Sequence, residues 1–239
     1  MVIPSLTTNP GRILNPGLCL LLLSLLPLGP AGAGELSFLW DESVFAIVTH
    51  KAGFASGRAH DHFVAAHGYK ARLEGEPGTV EGAAFEIVLA AEELVVDSPE
   101  LEKAWYPRLE ALGILAEPFG ELTDENREKI RESMLGKKQL DAKQFPEIRA
   151  RLAGIAEKPA TLGTEELGYE VSLAFEVHGQ EVERPLASSI TWDDGKLRVE
   201  AAGVFKFSDF GIEPFSAFLG AVKNTDEFHV YVCFVATSE

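Results

Sequence analysis

The side chains best suited to chemistry in this chain are two imidazoles, His60 and His62, with Asp61 between them. Positions i and i+2 of an extended segment face the same way, so both rings can address one point in space. Such a pair supplies two ligands of a metal site, and a closed site needs a third and usually a fourth. His67 falls on the opposite face of a regular strand and Asp61 points away, while His50 sits one strand back and could approach across the hairpin. There is no His-Glu-x-x-His motif and no Cys partner. The ligand count therefore falls short, and the main reading of His60 and His62 is hydrogen bonding within the hairpin or contact with the polar end of a ligand. Metal binding through His60 and His62 is the alternative. His178, beside Gly179, belongs to a turn, and His229 alternates outward from the last strand.

Other catalytic signatures are missing from the sequence. It has no Gly-x-Ser-x-Gly elbow, no phosphate loop and no plausible Cys nucleophile. Carboxylates are so abundant that choosing an acid–base pair would be arbitrary. No loop of alternating oxygen ligands suggests calcium. The expectation is a protein that is not an enzyme.

The elements that must position the histidines are strands. Trp40 to Lys51 reads as a strand apolar on both faces, hence covered on both sides. Residues 62–74 and 83–91 follow as strands, with a turn at Glu76-Pro77-Gly78. A helical stretch interrupts them. Ser98-Pro99-Glu100 starts a helix that Pro107 should shorten or break, and Thr123-Asp124-Glu125 starts a second that Gly136 ends. Its thin apolar stripe of Ile130, Met134 and Leu135 places it at the surface. Alternation then resumes through Ile148, Ala150 and Leu152. It is clearest over Tyr169, Val171, Leu173, Phe175 and Val177, and ends with Phe228, Val230, Val232 and Phe234 facing inward. His178-Gly179 and Asp193-Asp194-Gly195 are hairpin turns, and residues 215–220 read as a single helical turn. About eight strands with one apolar face must bury that face, and few helices are available to cover it. The fold class is therefore all-β: an antiparallel eight-stranded barrel with a short helical insertion, a β-sandwich being the runner-up. An eight-stranded barrel is wide enough to be filled by side chains or to hold one elongated ligand.

The chain has 239 residues and a formal charge of −16. Its start has the order of a secretory signal: Arg12, an apolar run from Leu18 to Leu26, then Ala31-Gly32-Ala33. The run is too short to span a bilayer. Residues 1–33 are thus read as a signal peptide and 34–239 as the barrel domain, with no integral membrane segment after cleavage. Cleavage removes one basic and no acidic side chain, leaving 20 basic against 37 acidic and a balance of −17. So acidic a surface repels nucleic acid. Of the two cysteines, Cys19 leaves with the signal, so Cys233 has no partner and reads as a small core residue.

Several segments in order resemble the YceI-like family. Ser43-Val44-Phe45-Ala46-Ile47 leads to Lys51-Ala52-Gly53 and His60-Asp61-His62. Met134-Leu135-Gly136 runs through Leu140-Asp141 to Phe145-Pro146-Glu147-Ile148. Val177-His178-Gly179 and Phe207-Ser208-Asp209-Phe210-Gly211-Ile212 follow. Ala59 stands where members often carry Gly, and the stretch from Ser98 to Leu135 is longer than the family's connections, so the barrel mouth should be covered differently. The resemblance implies a periplasmic or secreted lipocalin-like barrel that holds a long isoprenoid or similar lipid and needs no other cofactor. The inward candidates are Phe45, Ile47, Phe85, Ile87, Ile148, Leu173, Phe175, Phe205, Phe207 and Val230, with His60 and His62 near the polar end. Each buried CH₂ contributes about 0.8 kcal/mol, so a chain of about ten would gain about 8 kcal/mol before ordering costs. A filled core serving a structural or interaction role is the remaining alternative, and a homodimer is compatible with the sequence.

Overall fold

A computed structural model describes residues 34–238 apart from 55–59, 67–68 and 77. The signal peptide expected over residues 1–33, Cys19 and His67 lie outside the described residues. The described chain belongs to one compact unit.

Twelve strands flank two helices: β1 Gly34–Phe38, β2 Val44–Ala52, β3 His62–Ala66, β4 Lys70–Gly75, β5 Ala84–Ala90, β6 Leu94–Val96, α1 Pro99–Ala111, α2 Asp124–Leu135, β7 Glu147–Leu162, β8 Glu165–Val177, β9 Gln180–Asp193, β10 Lys196–Lys206, β11 Ser216–Ala217 and β12 Val222–Ser238. Every pairing is antiparallel, and eight of the strands form a ring in the order β1-β4-β5-β7-β8-β9-β10-β12, closed by β12 on β1 (Leu36↔Ser238). The expected eight-stranded barrel is therefore present. Three of the four extra strands arise because three long strands are each interrupted, and the fourth, β11, is a short addition that pairs with β12. A 3₁₀ turn at Trp40–Glu42 separates β1 from β2, another at Ala91–Glu93 separates β5 from β6, and residues 67–69 separate β3 from β4. Tight turns set the register of the meander: His178 and Gly179 have φ of 53° and 71°, and Asp194 and Gly195 have 46° and 74°.

β5 leaves β7 after Ala90↔Glu147, and β6 pairs with β3 instead. The sheet splits there, and the insertion carrying both helices begins at the split.

Beside α1 the wall is apolar on both sides. Phe45, Phe175, Val230, Val232 and Phe234 belong to the inner core. Val44, Ala46, Val48, Tyr231 and Cys233 face outward and are buried under Leu109 and Leu112 at the end of α1. This is why β2 has no polar face. Burial pushes the Cys233 thiol up to about 11. Arg108 clamps α1 to the wall, donating to Glu200 at 2.6 and 2.8 Å and to Glu165 at 2.6 and 2.8 Å, while the Tyr231 hydroxyl donates to Glu200 at 2.7 Å. Burial alone would raise the Glu200 carboxyl, but these donors hold it below its ordinary value.

Pro107 does not break α1, contrary to expectation. The ring sits on an exposed face and so does Lys103, whose carbonyl loses its partner and is left to water. α2 starts as expected, with Thr123 Oγ1 accepting from the Asn126 N–H at 3.2 Å, and stops at Gly136. The helical turn expected over residues 215–220 is confined to Phe218–Gly220. Ser216 and Ala217 form β11, and the 3₁₀ turn contains left-handed Leu219.

Candidate functional site

Where the sheet splits, the barrel interior opens into a cavity of about 330 Å³. Its lower wall is Phe45, Ile47, Leu89, Ile148, Phe175 and Val177, and α2 covers it with Ile130, Ser133 and Met134. The stripe that looked too thin to bury is thus the roof. Aromatic rings make one flank: Phe207 lies 4.6 Å from Phe228, and Phe210 lies 5.8 Å from Phe175.

A smaller space of about 70 Å³ occupies the other end of the barrel, lined by Phe85, Leu173, Trp192, Leu197 and Phe234 among others. Ile87, Phe205 and Val230 are buried to 1% exposure or less and line neither space.

The cavity's polar end is built on β2 and β3. Thr49 and His62 are cross-strand partners and both line the cavity. The Thr49 hydroxyl is buried with no hydrogen-bond partner among the described residues. His62 Nδ1 lies 2.7 Å from Asp97 Oδ2. Asp97, 2% exposed and at φ 50°, is fixed in turn: its Oδ1 accepts from the Phe63 N–H at 2.8 Å, and its own N–H donates to the Phe63 carbonyl at 2.8 Å. The carboxylate therefore fixes the ring through Nδ1–H; in the neutral ring that leaves Nε2 as an acceptor. Glu102 on α1 approaches the same group, and its Oε1 is buried without a partner among the described residues. Burial, followed by the charge of Asp97, raises its carboxyl to about 7, against the opposing pull of Arg127 and His62.

A family model, the YceI-like domain, matches residues 59–236. The chain belongs to the YceI-like family. No curated protein matches it. Among solved structures, Burkholderia cenocepacia BcnA is similar at 14% identity and a TM-score of 0.54, covering 82% of this chain and 98% of that one. This likeness shows the YceI-like fold. A Campylobacter jejuni YCEI protein (11% identity, TM-score 0.47, covering 74% and 84%) and a polyisoprenoid binding domain from Saccharophagus degradans (10%, 0.45, covering 87% and 99%) are also similar.

In this YceI-like barrel the expected site residues divide. Phe45, Ile47, His62, Ile148, Phe175 and Phe207 line the large cavity; Phe85 and Leu173 line the small space; Ile87, Phe205 and Val230 are buried in the inner core and line neither. His60 does not join His62. It precedes β3, and its ring packs so closely on Gly120 that a Cβ there would lie 1.8 Å from Nδ1. His50 does not reach His62 either. Its Nε2 is 2.8 Å from His229 Nδ1 and its Nδ1 is 3.8 Å from Asp61 on the outer face. Burial and then the neighbouring His50 lower His229 to about 4; on the outward side of the last strand it has a partner in His50. Among the described residues no group of three or more His, Cys, Asp or Glu is placed to hold a metal. Sequence reasoning missed Thr49, Asp97 and the roof residues. Asp97 sits directly before the capping Ser98, where an acid reads as helix-start chemistry.

Proposed function

We propose that this chain is an exported lipid-binding protein that holds one long apolar, isoprenoid-like molecule in the cavity under α2, and that binding, not catalysis, is its activity. The observation that carries this reading is the 330 Å³ cavity, whose lining is mostly apolar and which carries Thr49 and His62 on one wall. That volume falls within the range of small-molecule sites, about 300–1,000 Å³. The tail lies among Phe45, Ile47, Ile148 and Phe175. The head meets Thr49 and His62, whose free hydroxyl and Nε2 acceptor suit a neutral group bearing a hydroxyl, such as an alcohol or phenol. Membership of the YceI-like family, and the polyisoprenoid-binding description of one similar structure, support the ligand class and an address outside the cytoplasm. Residues 1–33 serve as the export signal.

Native mass spectrometry of residues 34–239, purified without lipid or detergent, tests this. The expected result is an added mass of lipid size that organic extraction releases and that Ile47→Trp, which fills the cavity, abolishes. A bare chain mass would favour a filled structural barrel. An added mass equal to a transition metal, lost in His62→Ala, would favour the metal reading.

A further inference from the structure

The cavity mouth continues into a second surface. β11 and the start of β12 pair as a short hairpin (Ser216↔Lys223, Ala217↔Val222). It rises from the rim, since Phe215 and Asn224 at its base both line the cavity and the Asn224 N–H donates to the Phe215 carbonyl at 2.9 Å. At its tip, Phe218 is 83% exposed and Leu219 fully so. Both adopt left-handed backbone, at φ 51° and 57°, a costly conformation for large side chains. The end of β2 lies against this hairpin. Ala52 pairs with Lys223, and a Cβ on Gly53 would stand 2.5 Å from the Ala221 carbonyl oxygen. The next residue, Phe54, is 89% exposed.

Three large apolar side chains therefore project from two adjoining hairpins beside the opening. Packing gains nothing from placing them there, and strain is spent to do so. They project outward and form no groove, a shape suited to a fluid surface that parts around them. The nearby Lys51 is neutralised by Glu117 at 2.8 Å, and the whole chain carries −16, so anionic lipid would be repelled.

We propose that this rim docks on a neutral lipid bilayer, its tips entering the boundary between head groups and acyl chains so that the cavity mouth faces the membrane. The proposal rests on the reading of the cavity as a lipid site.

Vesicle flotation of residues 34–239 tests it; this unit lacks the apolar run 18–26, which would bind vesicles by itself. The chain is expected to float with phosphatidylcholine vesicles and less well when phosphatidylglycerol is mixed in. Phe218→Ser/Leu219→Ser should cut partition by about tenfold or more, and Phe54→Ser by a smaller factor, from the apolar area each withdraws. The thermal melt and the bound mass in native spectra should stay unchanged. No flotation of the parent chain, equal flotation of the double variant, or binding that needs phosphatidylglycerol would overturn the proposal. So would a dimer in sedimentation that the double variant splits while flotation is unaffected. Lost flotation with cargo retained would establish docking as separable from binding. Flotation without cargo would sink the cavity reading alone.

Discussion

The two sides of the barrel wall are built to different standards. On the outer face, the last turn of α1 presses Leu109 and Leu112 onto Val48, Tyr231 and Cys233, and the space is closed. On the inner face the same strands leave about 330 Å³ unfilled beneath α2. α1 is held by a buried ion pair and a second core, whereas α2 contributes no buried residue. The difference separates tasks: the outer helix stabilises the wall, and the inner one covers a space that must admit something. Natural interiors are close-packed, so a void this much larger than the 70 Å³ space at the other end of the barrel does not serve stability.

The comparison breaks most readily at the outer clamp. Arg108→Met leaves the buried Glu200 carboxylate with the Tyr231 hydroxyl as its remaining side-chain donor, and should cost about 3 kcal/mol in urea unfolding, the low end for a buried pair because the guanidinium is part-exposed. A loss below about 1 kcal/mol would mean that α1 rests on its apolar contacts alone. Next come two truncations of similar size on the two helices. Leu109→Ala opens a hole in a closed core and should cost about 2–5 kcal/mol. Met134→Ala faces space that is already open and should cost about 1 kcal/mol or less, an area effect only. Equal costs would erase the distinction between the faces. The smallest effect is electrostatic. Glu102 faces Asp97, His62 and Arg127, and its carboxyl stands at about 7 in place of the ordinary 4.5. The unfolded chain loses this proton from about 4.5 upward while the folded chain keeps it, so the contribution is full below 4.5 and gone above about 7. Glu102→Gln should melt in parallel with the parent below pH 4.5 and above it in temperature beyond pH 7. Curves that stay parallel throughout would remove Glu102 from the polar end.

Strand alternation revealed the inner face because period two is local: Tyr169 through Val177 and Phe228 through Phe234 need only their own sequence to show which side is apolar. The doubly apolar β2 likewise announced a cover on each side. The cover itself was not legible, since nothing in Leu109 or Ile130 says which wall a helix will meet. The site failed for a related reason. His60 and His62 share parity, but β3 begins only at His62, so the alternation that would align them does not extend to His60. Asp97 lies 35 positions from His62, and only the pairing of β3 with β6 brings them to 2.7 Å. The void could not be read at all, because the same inward phenylalanines would serve a filled barrel equally well.

The ring is sealed by its two ends: β1 begins at residue 34, and its pairing partner on β12 ends at Ser238. β12 also pairs with β10, its near neighbour in sequence, and the remaining ring contacts join strands met earlier in synthesis. Closure is therefore the contact of longest sequence separation in the barrel and the last to become available, whatever the order in which the hairpins form. On the export route proposed above, β1 would travel unpaired on that edge until β12 has emerged, exposing strand edges that invite association. The adjacency of the ends also makes this barrel a natural subject for circular permutation. Joining residues 34 and 238 and cutting at the Asp194-Gly195 turn would make the β1–β12 contact local and pass the long-range closure to β9 and β10.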